Sequence, residues 1–384
     1  MTDSLSTRQG ASRHRDARLA AQEFHAAVAQ PGMRFVLFYC SPEYDLDVLG
    51  PELARLFEGV EVLGCTTAGG EISSLGYLNG TIGGVSVASP EFTVVTHRID
   101  ELKQFEFSRG VAAGPALLGR LRSVAPRHDP ENCFAFLLVD GMSMKEEPVV
   151  SAVYRGLGDI QLFGGSAGDD TRFERTFLFH EGRFREDCAV VALIHTTHPF
   201  YLFKTQHFVS NDDLMVVTRA DPARRVVTEI NAEPAGREYA RMVGLDVDKL
   251  TPLIFAAHPV VVQLGGLEYV RSIQKVNEDE SLTFFCAIDE GIVLTVARGV
   301  DLVQNLEQTF AEVRSRVGEP ELVLGCDCLL RRLEIEQRGL KAQVSDVLRR
   351  NQVIGFATYG EQYNAMHVNQ TFTGVAIGAR QHGR

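Results

Sequence analysis

Two glycine-rich loops, eleven histidines and seven cysteines hold most of the residues with which this chain could do chemistry. The first loop to stand out is Phe163-Gly164-Gly165-Ser166-Ala167-Gly168-Asp169-Asp170. Its small residues leave backbone N–H groups bare, so they can approach a ligand or another strand closely. Gly164, Gly165, Ser166, Gly168 and Asp169 are therefore candidates for a ligand loop. A companion lies about a hundred residues earlier, Leu63-Gly64-Cys65-Thr66-Thr67-Ala68-Gly69-Gly70-Glu71-Ile72. As an acid–base pair, Asp169 and Asp170 would need unequal environments. As turn residues they would cap backbone N–H groups, and this simpler reading is preferred. Cys65 has no histidine or lysine following it in its motif, so a nucleophilic enzyme is poorly supported. Neither a Walker-type Gly-Lys-Ser/Thr nor a dinucleotide-binding glycine pattern is present.

Three histidines sit in apolar, strand-like surroundings. His207 closes the aromatic, alternating segment 201–208, His367 lies in Met366-His367-Val368-Asn369-Gln370-Thr371, and His180 follows Phe177-Leu178-Phe179. His14 and His382 fall in tails, His25 on a helix and His128 in a polar loop, and all four are weaker candidates. Cys326-Asp327-Cys328 places two thiols on one face of a strand, as a soft metal or redox pair would need. It lacks the paired spacing of a zinc site, and two buried thiols at a strand-to-helix corner is the simpler reading. Arg271, Arg331, Glu361 and Asn369 are polar residues among apolar strands. An arginine fork suits a carboxylate or propionate, and it equally suits a buried ion-pair network.

These residues must be positioned by alternating strands and helices. Short apolar runs at 34–40, 60–65, 133–140 and 161–163 read as buried strands, and 48–57, 112–121 and 146–157 as helices between them. That order builds parallel sheets. A strand-rich stretch follows from 176 to 230. The second half reads as a helix at 235–242, strands at 260–264, 269–275, 282–287 and 292–297, a helix at 302–316, a strand at 322–326, helices at 329–338 and 342–349, and strands at 353–359 and 371–377. Residues 14–30 read as an amphipathic helix and residues 1–13 as disordered. No short internal repeat is evident. The fold class expected is mixed α/β, with sheets in two halves and helices packed on them: a tail and helix over 1–30, one domain over 31–230 and another over 231–384.

Hydrophobic residues make up 45% and charged residues 23%, ordinary values for a globular protein with a core large enough to need no disulfide staple. The formal net charge of −12 argues against nucleic acid and against anionic membrane surfaces. Residues 1–18 carry arginines but no apolar run, so no secretion signal is expected, and no stretch is apolar enough for a membrane span. An odd number of scattered cysteines fits a reducing, cytoplasmic setting.

Several motifs in order resemble the FIST family, with its FIST_N and FIST_C halves. They are LGCTTAGGEIS at 63–73, GGSAGDD at 164–170, FLFHEGRF at 177–184, VVTEINAEPAGREY at 226–239, EYVRSIQKVNEDESLTF at 268–284, GCDCLLRRLE at 325–334, GFATYGEQY at 355–363 and HVNQT at 367–371. The resemblance covers roughly residues 33–378. It implies a sensory, non-catalytic ligand-binding protein of signal transduction. In layout the chain is similar to the stand-alone NosP-type members. That likeness implies haem b, nitric oxide as the signal, and a separate sensor histidine kinase as partner in a two-component system, with self-association into a homo-oligomer left open. The iron ligand would be sought among His207, His367 and His180, with Arg271 and Arg331 for the propionates. The alternative is a haem-free sensor of a small, amino-acid-like metabolite, with Arg271 or Arg331 on its carboxylate.

Overall fold

One pattern of edge strand, helix, strand, helix, strand, hairpin and strand is built three times along this chain. The structure, a computed structural model, describes residues 5–126, 129–264 and 266–380. The first unit runs β1 (Thr7–Ser12), α1 (Ala17–Val28), β2 (Phe35–Cys40), α2 (Leu46–Leu56), β3 (Glu61–Thr66), the hairpin β4 (Glu71–Ser73) and β5 (Gly76–Leu78), then β6 (Ile82–Val87). The second runs β7 (Phe92–Asp100), α3 (Phe107–Val124), β8 (Cys133–Val139), α4 (Glu146–Leu157), β9 (Gln161–Ser166), the hairpin β10 (Leu178–His180) and β11 (Arg183–Arg185), then β12 (Cys188–Thr196).

The third unit starts with β13 (Phe200–Thr205) and is interrupted by an inserted domain. That domain holds β14 (Phe208–Asp221), β15 (Val226–Ile230), β16 (Glu233–Pro234), α5 (Ala235–Met242), α6 (Pro252–Ala257), β17 (Val260–Leu264), β18 (Leu267–Arg271), β19 (Ile273–Val276), β20 (Leu282–Phe284) and β21 (Val293–Gly299). The unit then resumes with α7 (Leu302–Val317), β22 (Pro320–Cys328), α8 (Leu329–Gln337), α9 (Lys341–Arg350), β23 (Val353–Thr358), the hairpin β24 (Glu361–Tyr363) and β25 (Met366–Val368), and β26 (Phe372–Gly378).

The hairpins do not stay with their own units. The sheet orders are β1-β6-β2-β3-β10-β11, β7-β12-β8-β9-β24-β25 and β13-β26-β22-β23-β4-β5. Each has a parallel central pair (β2–β3, β8–β9, β22–β23), as a helical crossover requires, and is closed by the hairpin of another unit. The first unit's hairpin goes to the third sheet, the second's to the first and the third's to the second. Where the chain leaves each third strand, backbone hydrogen bonds form a ring. Ala68 N donates to Ala357 O, Gly168 N to Thr66 O, and Tyr359 N to Ser166 O. A second ring accompanies it: Ala357 N donates to Gly70 O, Thr66 N to Phe177 O, and Ser166 N to Gly360 O. The three units thus interlock around a pseudo-threefold axis.

The three sheets turn their inner faces to one another. Phe35, Leu37 and Tyr39, then Phe134 and Phe136, then Leu324, Cys326 and Phe356, meet in a shared buried core. The outer face of each sheet is covered by its own helices, the first by α1 and α2 through Phe24, Leu49 and Leu53. Both faces are therefore buried, which is why these strands read as unbroken apolar runs. The inserted domain has a sheet ordered β18-β17-β21-β14-β15-β20-β19 and a separate core around Tyr239, Phe255 and Met215. Its two connections to the trefoil lie side by side: Phe208 pairs with Gly299, and Val300 N donates to His207 O.

The mixed α/β class holds, with helices packed on several sheets. Two sequence expectations are corrected. Thr7–Ser12, placed in a disordered stretch, is an edge strand in full register with β6, held by backbone pairing that its polar side chains do not announce. The absence of a repeat is also corrected, since the units share topology and a short motif in which a glycine on the third strand precedes small residues: Leu63-Gly64-Cys65-Thr66-Thr67, Phe163-Gly164-Gly165-Ser166-Ala167 and Ile354-Gly355-Phe356-Ala357-Thr358. All seven cysteines are buried and unbridged. No helix of the described residues is long and apolar enough to cross a membrane.

Candidate functional site

The glycine loops are the first place to look, and their amides are already taken. Gly168 and Ser166 donate to the trefoil rings, and Ala167 N donates to Val139 O. A Cβ on Gly164 would strike Leu137 O, and one on Gly165 would lie 3.1 Å from Cys326 Sγ. The bare backbone meets other strands, so this loop offers no ligand cradle. Asp169 accepts from the amides of Phe173, Glu174 and Arg175 at 2.9 Å each, and from the Tyr359 hydroxyl. Asp170 is paired with Arg332 at 3.0 Å. The two acids serve separate structural ends. Cys65 is fully buried, and burial pushes its thiol well above the ordinary range. It has no nucleophile's setting.

The fold repeats a buried carboxyl that the sequence hides. Glu71 Oε2 accepts from Thr81 N and Oγ1, and Glu361 Oε2 accepts from Thr371 N and Oγ1. In the first unit Thr67 Oγ1 caps the other oxygen at 2.7 Å. In the third unit Thr358 Oγ1 is engaged with Ser166 O and Gly360 O instead, and Glu361 Oε1 is left without a partner. Burial raises Glu71 from 4.5 to about 7. A carboxyl raised on folding stabilises fully below its unfolded pKa and loses that contribution as pH rises through the folded one. The stability of the wild type relative to Glu71→Gln is therefore expected to fall by about 3 kcal/mol between pH 4.5 and pH 7 and to level off above. Urea unfolding across that range checks it; a flat difference would mean the carboxylate is already ionised and compensated.

The histidines separate clearly. His207 is not in a strand: β13 ends at Thr205, and the ring turns into α8. Its Nε2 lies 2.8 Å from Glu334 and its Nδ1 2.8 Å from Arg331 Nη1. Arg331 is fully buried and also holds Asp327 at 2.6 Å, so it too is engaged in an ion-pair network at the root of the inserted domain. His180 gives Nε2 to Thr96 Oγ1 at 2.9 Å, and burial lowers it to about 4. His367 is buried, is lowered to about 4 by burial, and has Nδ1 3.3 Å from the Gln362 amide. His128 and His382 lie outside the described residues.

Iron ligation by haem needs a ring nitrogen with a free lone pair facing a flat apolar slot. His207 and His180 have protein partners at both nitrogens or are closed in, and the neighbours of His367 are polar. Haem does not fit the candidate residues. Cys326 and Cys328 belong to separate apolar clusters, and no cluster of metal-ligating groups occurs among the described residues.

What the structure brings together lies at the joint between the trefoil and the inserted domain. A cleft of about 920 Å³ opens there, lined by Met142, Phe173 and Tyr359 on one side and Arg224, Arg225 and Phe285 on the other. Phe173 stacks on Tyr359 and leans on Phe285 across the joint, with ring centroids 4.7 and 5.6 Å apart. Arg225 reaches over to Glu146 and Glu147 on α4 at 2.7 and 2.6 Å, and gives Nη1 to Phe285 O. Burial raises Glu146 to about 7 against the pull of Arg225. These residues escaped the sequence reading because they come from five distant segments, and only Tyr359 lies in a motif.

Beside this wall is a group of buried polar atoms without partners: Arg271 Nε and Nη1, Ser272 Oγ, both amide atoms of Asn369, and Oε1 of Gln370. Arg271 ends β18 and is near enough to His367 to act on its charge. Asn369 and His367 both face Gly360, where a Cβ would fall 3.0 Å from Asn369 Nδ2 and against the imidazole. Leaving such groups unsatisfied costs on the order of 1–3 kcal/mol each. Unpartnered buried donors and acceptors at a domain joint are what a polar ligand would satisfy.

Two family models match the chain. The FIST N domain matches residues 34–233 and the FIST C domain matches residues 235–364. The boundary between them falls inside the inserted domain. An uncharacterized protein of Methanocaldococcus jannaschii is 24% identical, over 84% of this chain and 70% of its own length.

Proposed function

From the premise that this chain belongs to the FIST family, we propose that it senses a small, amino-acid-like metabolite at the joint between trefoil and inserted domain, without haem. FIST domains are sensory ligand-binding domains of signalling proteins. The observation that carries the finer reading is the buried Arg271 guanidinium, with Nε and Nη1 unpartnered, near Asn369 and His367. A carboxylate accepts charge-assisted hydrogen bonds from guanidinium N–H groups, and Arg271 leaves Nε–H and Nη1–H without a partner. A ligand seated there touches both domains, so its binding energy favours the closed arrangement over the open one. A separate signalling partner, such as a histidine kinase, would then read the difference. Nothing in the site places a base beside a nucleophile, so the reading is of a binding protein.

Thermal unfolding with single L-α-amino acids tests this. At least one is expected to raise the melting temperature of the wild type and to lose that effect in Arg271→Ala, since a hydrogen bond to a charged group is worth roughly 1.5–3 kcal/mol. Equal stabilisation of both proteins would remove Arg271 from the site. Protein grown with ample haem precursor is expected to be colourless and to take up no haemin stoichiometrically. A sharp haem band at one per chain that shifts with nitric oxide would overturn the haem-free reading.

A further inference from the structure

We propose that His367 is a specificity-determining hydrogen-bond donor of this site, locked as the neutral Nε2–H tautomer by Gln362 so that the site takes an oxyanion rather than a metal or a cation. The inference rests on the reading of the joint as the ligand site.

The tautomer follows from the neighbours of Gln362. Its side-chain nitrogen lies 3.3 Å from Gly360 O, 3.0 Å from Ser166 Oγ and 3.3 Å from His367 Nδ1. Gly360 O can only accept, so the group facing it must be the NH2 and not the amide oxygen. An NH2 has only donors to offer, so Nδ1 must present its lone pair, and the proton of a neutral ring sits on Nε2. The assignment comes from the acceptors around the amide. Gln362 is itself fixed: it pairs with Gly164 across the β24–β9 ladder, and Ser166 belongs to the trefoil ring. The third unit's hairpin, seated on the second unit's sheet, thereby sets the protonation of a residue at the joint.

With Nδ1 taken and Nε2 protonated, His367 has no lone pair for iron or zinc. It has an N–H, and so have its unpartnered neighbours: Arg271 offers Nε–H and Nη1–H, Asn369 its NH2, and Ser272 a hydroxyl. The acids that face the ring are Glu147, held by Arg225 at 2.6 Å and by the Ala287 amide at 2.5 Å, and through Arg225 also Glu146. Both carboxyls are already supplied with donors. The open acceptors nearby are the amide oxygens of Asn369, Gln370 and Gln362, while the open charged group is the Arg271 guanidinium, whose N–H donors suit a carboxylate or a phosphate. The open Arg271 N–H groups and the small space left by Gly360 favour the planar carboxylate of a small metabolite.

The test pairs a spectroscopic readout with binding. Nitrogen-15 histidine NMR of the full chain at neutral pH is expected to show His367 as the Nε2–H tautomer. Binding is measured with single L-α-amino acids, with acetate and inorganic phosphate as carboxylate and phosphate references. Loss of one donor is expected to weaken the best amino acid about tenfold in His367→Leu, while His367→Gln, which keeps an N–H, stays close to wild type. Gln362→Met is expected to release the tautomer and weaken binding with His367 intact. An Nδ1–H tautomer, or equal affinities in the Leu and Gln variants, would overturn the proposal even where Arg271→Ala abolishes binding. Preference for phosphate would overturn the carboxylate assignment. If no amino acid, acetate or phosphate stabilises the wild type, the site reading falls and this one with it.

Discussion

Gly164→Ala and Gly355→Ala are expected to yield no stably folded protein. Each glycine lies in the parallel pair of its sheet, Gly164 on β9 beside Leu137 of β8 and Gly355 on β23 beside Gly325 of β22. A Cβ at either position would meet the backbone oxygen of the neighbouring strand well inside 3.0 Å, a distance real Cβ atoms essentially never show. Neither residue has a positive φ, so the cost is purely steric. Side chains can rotate out of the way, but a ladder carbonyl cannot, because both faces of these sheets are packed. Overpacking a core typically costs about 1–3 kcal/mol, and a clash with fixed backbone should exceed that range, reaching about 4–5 kcal/mol or more. That approaches the whole stability of an ordinary domain. Urea unfolding of a graded series keeps the claim testable where the severe variants do not fold. Gly325→Ala meets mainly the Phe372 ring and a Val353 methyl, so an intermediate loss is expected. Gly119→Ala on α3 meets nothing within 4 Å and should gain up to about 1 kcal/mol. Wild-type stability in Gly164→Ala would mean that the strands do not approach this closely.

The same series explains why the repeat was invisible in the sequence. The three units share geometry more than identity. What each must keep is a glycine on the third strand and small residues at the axis, five positions in a unit of about ninety. The buried pair Glu71 and Thr81 does recur as Glu361 and Thr371, ten residues apart in both units. That spacing was readable, but a lone Glu and Thr ten apart means nothing until both are known to be buried. The hairpin strands β4, β5, β24 and β25 were missed for a related reason. They are too short to show alternation, and they are held by strands of another unit. By contrast α4 at Glu146–Leu157, α5 at Ala235–Met242 and β17 at Val260–Leu264 coincide with the sequence reading, because amphipathic and apolar runs carry local information.

Around the site the same division holds. Arg271, His367 and Asn369 stand out in sequence as polar residues in apolar surroundings. Which of them meet is set by β18 of the inserted domain settling near β25, a contact between segments almost a hundred residues apart. His207 was misjudged because segment 201–208 alternates like one strand. In the structure the strand stops, and the ring is drawn to Glu334 and Arg331, an ion-pair partnership that periodicity cannot reveal.

Arg225→Met should loosen the inserted domain from the trefoil and weaken ligand binding together. Arg225 is the cation shared by Glu146 and Glu147, and it spans the joint from β15's approach to α4. All three side chains are largely buried. Removing the cation leaves two carboxyls without a compensating charge, a change that costs about 3–5 kcal/mol in buried pairs. The loss falls on the interface rather than on either core, so it should appear as separate unfolding of the inserted domain and as faster proteolysis of the connections at Gln206–His207 and Val300–Asp301. The pH dependence carries a sign. Glu146 stands at about 7 with Arg225 beside it and is pushed higher without it, so the variant is at its worst well above pH 7. As pH falls the uncompensated carboxyls take up protons, and the deficit relative to wild type should shrink toward pH 5. The triple change Arg225→Met with Glu146→Gln and Glu147→Gln removes the charges and should recover most of the loss at pH 8, since replacing all partners of a buried pair costs far less than removing one. If the triple variant is no better than Arg225→Met, the arginine acts by packing alone. If Arg225→Met unfolds in one step with unchanged ligand affinity, the joint is not the element that the ligand reads.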